Sequence, residues 1–498
     1  MVFSDTEGRS FLMRSFALKL FLVFLTTLLV AMSAINARAT YGAKISVDEP
    51  QYLLTALSIA EDFDLDISDE LDERRYLPFH ELRLNQQTID LNDSGQRISP
   101  HDPLLPILLA LPMGFGGWLA SKMALAVLAA ITAAATLWVA VRRFNVNPNI
   151  ATAVTALLFT SPPMTSYATQ IYPEMPAALA LVTSIGIVTG TTTRKSVAVL
   201  ILALTALPWL SVKYVPVTAV LAMYFLYKNW NSERKRTYFF TVAMGISAVA
   251  YLIIHKRIYG GWTVYATGDH FVDGEFEVVG RNPNLAARTR RLSGLLLDKE
   301  FGLIPWTPAF FALIPAFVLM VKDRFKETLP LLLSACVGWS VATWVALTMH
   351  GWWWPGRQLV VILPTAVIAM AMLAEKFKLW RWFIYIGGTS GVIAWLWLAF
   401  EASTDRRTLV VDFYETSYPI YKALSYALPD FTNYDQAAIL LNVIWLTGIV
   451  LASMITFVHK PAFSKNNSFI TYQTRTQTLK IQGTRKKLKI TKQVVDND

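Results

Sequence analysis

From Phe16 to Val458 the chain is a succession of apolar runs, divided by short segments rich in charge or proline. A helix of about 20 apolar residues crosses the hydrocarbon core of a bilayer, and only helices or closed barrels satisfy their own backbone there. The pattern therefore predicts an all-α polytopic membrane protein. Composition agrees: 54% of the 498 residues are hydrophobic and 16% are charged, against about a quarter charged in soluble domains. About twelve spans are expected, at 16–34, 118–141, 150–164, 175–190, 197–210, 214–227, 239–254, 304–321, 329–348, 359–374, 382–400 and 437–458. The run 104–141 is too long for one straight span. Pro106, Pro112 and the cluster Gly114, Gly116 and Gly117 predict an interfacial or re-entrant piece before a true span from Trp118.

The first run follows Arg9, Arg14 and Lys19, and Ala37-Arg38-Ala39 imitates a cleavage site, but its length suits an uncleaved helix. Alternating sides along the chain puts Arg9/Arg14/Lys19, Arg142/Arg143, Arg194/Lys195, Lys228/Arg234/Lys235/Arg236, Lys322/Arg324/Lys326, Lys376/Lys378 and the tail together. By the positive-inside rule that side is cytoplasmic, so a cell-membrane protein with both termini inside is expected. The first outer loop, 36–103, then faces out; its residues 36–102 carry 14 acidic and 6 basic residues. Residues 1–458 form the membrane domain, 255–303 a basic outer loop, and 459–498 a basic tail expected to be disordered. The net charge of +10 lies in short loops and this tail, where orientation explains it without nucleic acid. The tail could also grip anionic membrane lipids. The single cysteine, Cys336, allows neither a disulfide nor a Cys-based zinc site.

Unusual chemistry gathers on the outer side. Asp48-Glu49-Pro50 opens an expected helix over 49–60, whose apolar side holds Tyr52, Leu53, Leu57 and Ile59. Asp48 suits an N-cap there, and a capped helix also fixes the place of a carboxylate. Ser99-Pro100-His101-Asp102-Pro103 enters the re-entrant piece, and Tyr172-Pro173-Glu174-Met175-Pro176 joins two short spans. An ionisable residue at such a boundary is a functional candidate. The loop from His255 to Glu300 carries Lys256, Arg257, Arg281, Arg288, Arg290, Arg291 and Lys299. Two explanations stay open for those cations: an anionic ligand, matched by planar guanidinium forks, or pairing with Asp269, Asp273, Glu275 and Glu277. Finally, Trp352-Trp353-Trp354-Pro355-Gly356-Arg357 sets an arginine at a span entrance. The three tryptophans suit an interfacial belt better than a sugar platform.

These segments together resemble the GT-C superfamily of integral-membrane glycosyltransferases, which includes protein O-mannosyltransferases and lipid A aminoarabinose transferases. "DEPQYLLTALSIAEDFDLD" resembles the acidic start of their first outer loop, and "HDPLLPILLALPMGFGG" the helix entering their second span. "YPEMPAALA" sits where they keep a second acidic residue, and "LLLDKEFGLIPWTPAF" and "GWWWPGRQLVVILP" look like later segments of the bacterial branch. The likeness covers about 16–374, and no large soluble domain is expected after the last span. It implies a GT-C-like bundle, a polyprenyl-phosphate-linked sugar donor reaching the outer face, and a glycan, lipid or protein acceptor. Asp48 would be the base, with Glu49 and Glu174 orienting it or the acceptor. Lys213 and Arg357 would hold the phosphate, and His101, Asp102 and Tyr172 would contact substrate. One displacement implies inversion. Asp64 and Asp66 spell D-x-D and leave room for a divalent cation, although relatives without metal fit as well.

Two other classes stay open. A transporter or flippase for lipid-linked glycans would place charges at mid-membrane on broken, repeated spans, whereas no repeat is visible here. A non-catalytic scaffold of envelope assembly would need no reactive carboxylate.

Overall fold

The structure is a computed structural model that describes residues 5–85, 87–91, 95–264, 284–346 and 348–459, without the side chains of 5–13 and 89–91. Arg281, Asp269, Asp273, Glu275, Glu277 and the tail from Lys460 lie outside the described residues.

The regular structure of the described chain is almost entirely helical. α1 is Asp5–Met32, α2 Glu49–Glu61 and α3 Ser68–Asp72; a short antiparallel ladder pairs β1, Ile89–Leu91, with β2, Gln96–Ile98, in the register Asp90 to Arg97. α4 is Leu104–Phe144, α5 Pro148–Phe159, α6 Glu174–Val188, α7 Arg194–Leu210, α8 Val215–Asn229 and α9 Arg234–Tyr259. α10 is Leu285–Thr289, α11 Arg291–Leu297, α12 Leu303–Trp306, α13 Leu313–Ser340, α14 Leu363–Lys376, α15 Lys378–Ser403, α16 Pro419–Ala427 and α17 Gln436–Val458.

Among the described residues, seven helical segments are long and apolar enough to cross a membrane. α5 to α8, read from the sequence as short spans, have 12, 15, 17 and 15 residues. Two of the long segments are broken where the sequence changes character. α4 leaves helical geometry at Gly117, with φ 63° and ψ −156°, a conformation open to glycine; this is the break expected from the glycine cluster. α13 breaks at Arg324, inside the basic segment expected to separate two spans.

Local signals set the ends of the shorter helices. Asn147 accepts from the amides of Asn149 and Ile150 just ahead of Pro148, and Thr193 and Ser196 form a reciprocal capping box for α7. α4 closes on Arg142 and Arg143 with Asn145 left-handed at φ 55°.

Burial separates the inside of the bundle from its flanks. The 357–376 segment is 89% buried, whereas the windows of α1 and α9 are each 17% buried and that of α17 is 22%. Leu18, Phe21, Ile246, Val249, Leu440 and Ile444 stand exposed on those flanking helices, the arrangement expected of surfaces solvated by lipid. Within the bundle, α6 approaches α4 closely at Gly186. A side chain at Gly186 would come within 3.1 Å of Val139, so this close crossing depends on small residues, as membrane helix pairs do.

Two expectations are corrected. α2 is not amphipathic in place: everything from Glu49 to Ser58 is buried, Gln51 and Thr55 included, because α4 and the following loop cover its polar side too. Trp353 and Trp354 are not belt residues. They are 8% and 1% exposed, and Trp354 packs against Trp306, Trp395 and Phe413; only Trp352, 68% exposed, keeps the belt character. Of the outer-loop cations, Arg288 and Arg291 donate to the carbonyls of Trp344 and Ala346 after α13, and Lys299 pairs with Asp430; the acids expected as their partners lie outside the described residues.

Candidate active site

Four separate segments bring their charged side chains together at one end of the bundle. Asp48 stands before the first turn of α2, and Glu174 opens α6. Lys213 sits in the 3₁₀ turn Val212–Tyr214 between α7 and α8, and Arg357 begins the 3₁₀ turn that leads into α14. Arg357 bridges the two acids: its Nη2 donates to Asp48 Oδ2 at 3.1 Å and its Nε to Glu174 Oε1 at 3.2 Å. Lys213 Nζ reaches the same Glu174 oxygen at 2.9 Å and Gln358 Oε1 at 3.3 Å. The guanidinium lies over the Tyr172 ring, 3.8 Å from its centre, with Trp353 at 5.2 Å.

Each member owes its place to local structure. Gly356 has φ +79°, and a Cβ there would come within 2.9 Å of both Leu303 and Pro163, so the turn aiming Arg357 needs glycine. Val47 precedes Asp48 with φ 53°, a strained value for a β-branched residue of the sort that clusters at functional sites. Asp48 occupies the N-cap position but makes no cap hydrogen bond. Its carboxylate is turned to Arg357 instead, so the position fits the expected cap while the side chain does not serve as one.

The three carboxylates have unequal access. The Asp48 side chain is 17% exposed and that of Glu174 1%. Glu49 is also 1% exposed, and the backbone occupies both of its oxygens: Oε1 accepts from the Ile171 amide at 2.6 Å and Oε2 from the Ser46 amide at 2.8 Å. Glu174 Oε2 and the Tyr172 hydroxyl are buried and make no hydrogen bond among the described residues. Of the acids, only Asp48 can be reached from outside.

Electrostatics follows this geometry. Burial works to raise the Asp48 carboxyl, but the Arg357 guanidinium beside it, helped by His101 and Lys213, holds it below its ordinary value. Burial lifts Glu49 above its ordinary value against the pull of Lys122 and its two amide donors. Burial lowers the Lys213 ammonium, with Glu174 pulling the other way.

His101 and Asp102 sit beside this cluster. The His101 ring packs against Tyr52 in a tilted arrangement, with ring centres 4.4 Å apart, and its Nδ1 is 2.7 Å from the Ser99 hydroxyl. Asp102 is 3% exposed and turned into the protein. Oδ1 meets the Tyr251 hydroxyl at 3.1 Å and His255 Nε2 at 3.0 Å, and Oδ2 accepts from the Val212 amide at 3.1 Å. It fastens the turn that carries Lys213. Asp64 and Asp66 each use one carboxylate oxygen to bond their own loop. Asp64 Oδ1 accepts from Ser58 and the Asp66 amide, and Asp66 Oδ1 from the amides of Ser68 and Arg97.

Sequence reasoning did not single out Lys122, Gln358, Tyr251 or His255 as partners. Lys122 carried a signal, being a lone ammonium inside an apolar helix. It is 5% exposed and donates to the Lys44 carbonyl at 2.9 Å, just ahead of Asp48.

Among solved structures, the chain is similar to ArnT from Cupriavidus metallidurans, in the undecaprenyl phosphate-bound and apo crystal structures. TM-scores are 0.49 and 0.48 at 13% and 14% identity, over 91% of this chain and 76% and 73% of those chains. No family model matches the sequence, and no curated protein matches it.

Proposed function

We propose that this protein is a GT-C membrane glycosyltransferase. It moves a sugar from a polyprenyl-phosphate-linked donor to a hydroxyl of a glycan, lipid or protein acceptor at the outer face of the cell membrane. The observation that carries this reading is one reachable carboxylate, Asp48, paired directly with the largely buried Arg357, which Glu174 links to a second largely buried cation, Lys213.

The two cations supply what a departing lipid phosphate needs. Arg357 offers a planar fork and Lys213 a compact charge, both in a largely desolvated place where charge stabilisation is strong. Glu174, enclosed and bonded to both, acts as a positioning residue, and Asp102 and Glu49 hold the adjoining turns. The acceptor oxygen forms a bond to the anomeric carbon as the bond from that carbon to the phosphate oxygen breaks. The acceptor proton passes to Asp48, and the electron pair leaves with the phosphate. One displacement inverts the anomeric centre.

At rest Asp48 is a weak base because Arg357 holds it. A donor phosphate that engages Arg357 competes for that guanidinium and so returns basicity to Asp48 when substrate is bound. His101 borders the place where sugar and acceptor would meet, and Tyr172 lies behind Arg357.

The test is incubation of purified protein with a panel of radiolabelled polyprenyl-phosphate sugars, followed by product analysis. Asp48→Asn, folded and inserted as wild type, is expected to lose at least about 100-fold in rate, the scale of a positioned base. Flux of lipid-linked glycan without a new glycosidic bond would replace this reading with transport. An unimpaired Asp48→Asn protein would replace it with a scaffold.

A further inference from the structure

The end of α2 remote from Asp48 lies about 20 Å away along the helix axis, and there acidic side chains crowd together. Asp62 follows the last turn of α2, and α3 brings Asp69 and Glu70 back against it. One carboxylate oxygen from each of the three lies within 4.8 Å of the others. Their surroundings differ in a telling way. Asp62 and Asp69 are exposed, whereas Glu70 is 1% exposed and neither of its oxygens has a hydrogen-bond partner among the described residues. The arginine acting on this group is already engaged: Arg75 is 2.7 Å from Glu61 and 3.6 Å from Glu73.

A buried carboxylate without partners is costly, and like charges beside it add to the cost. A proton on Glu70 would quiet one carboxyl and leave Asp62 and Asp69 facing each other. A cation would satisfy all three at once. The donor set is wholly carboxylate oxygen, with one enclosed ligand and two on the solvent side. Hard divalent ions accept such sets, and calcium takes 6–8 oxygens in flexible geometry with water completing the shell. The intervening loop is built to hold its shape, because Asp64 and Asp66 accept hydrogen bonds from Ser58, Ser68 and Arg97. The D-x-D acids are thus the scaffold of this corner, and their neighbours face one another.

We propose that Asp62, Asp69 and Glu70 form a binding site for a hard divalent cation of the calcium class, which ties the end of α2 to α3. Its distance from Asp48 makes it a structural site of the first loop rather than part of the reacting cluster.

The experiment uses the full-length protein in detergent, stripped with chelator, and reads equilibrium binding of ⁴⁵Ca²⁺ together with thermal unfolding. Saturable binding of about one ion per chain is expected, with a rise in Tm. Asp69→Asn and Glu70→Gln should each weaken binding at least about tenfold, because each removes a charged ligand. Glu73→Gln removes the same charge from an exposed neighbour that is not in the cluster, and should leave affinity within about twofold. Absence of saturable binding to the wild type overturns the site. So does an equal loss in Glu73→Gln, which would mean a diffuse cloud of counterions. Asp69 is on the surface, so its variant decides the matter even where Glu70→Gln fails to fold.

Discussion

Asp48 differs from Glu49 and Glu174 in what remains of it after the fold has made its own bonds. Glu49 has both oxygens committed to backbone amides, and Glu174 is enclosed between two cations. The adjacency of Asp48 and Glu49 was plain in the sequence, but their division of labour was not. A period of 3.6 residues says that neighbours point about 100° apart, and only the packed partners say which direction leads to the opening. The same residues imply a pH profile. Asp48 is held below its ordinary 3.8, so it stays ionised as pH falls through that value; Lys213 is lowered from 10.5, so its proton leaves earlier as pH rises. The kcat/KM profile is therefore expected to keep its acid limb below 3.8 and to show an alkaline limb below 10.5. Lys213→Arg should push the alkaline limb upward, since a guanidinium does not titrate in this range. An unmoved limb would mean that Lys213 does not set it.

Elements show the same mixture of signal and silence. The break in α4 was visible because glycine and proline change what a backbone can do locally, and it fell at Gly117. Burial of both sides of α2 was not visible, because it depends on a cover supplied by α4, some fifty residues further along the chain. The turn before Arg357 lies between these cases. The Pro355-Gly356 pair marked a turn, yet the reason for glycine is its φ of +79° together with the approach of Leu303 and Pro163. Gly356→Ala should therefore cost about 1–3 kcal/mol, lower Tm, and shift Arg357 enough to reduce kcat at least about tenfold. Gly245→Ala, with nothing near the added methyl, should lose neither. Equal Tm and kcat for the two variants would show that the turn does not hold the arginine.

For the whole molecule, sidedness was the strongest inference available, because it used the order of many weak charges instead of any one motif. It placed Asp48, Glu174, Lys213 and Arg357 on a common side before any contact was known, and the folded chain puts all four within one hydrogen-bonded cluster. That agreement concerns which segments share an end of the bundle; which compartment the end faces is a separate matter, open to direct measurement. Cys336 is the only cysteine and is exposed, so Cys336→Ser gives a silent background. Tyr426 and Glu73 are exposed near segments assigned outside, and Lys195 is exposed in one assigned inside. In intact cells a membrane-impermeant maleimide is expected to label Tyr426→Cys and Glu73→Cys and to spare Lys195→Cys until the membrane is opened. The opposite pattern would put the cluster in the cytoplasm, where nucleotide sugars are at hand and a lipid-borne donor would lose its rationale.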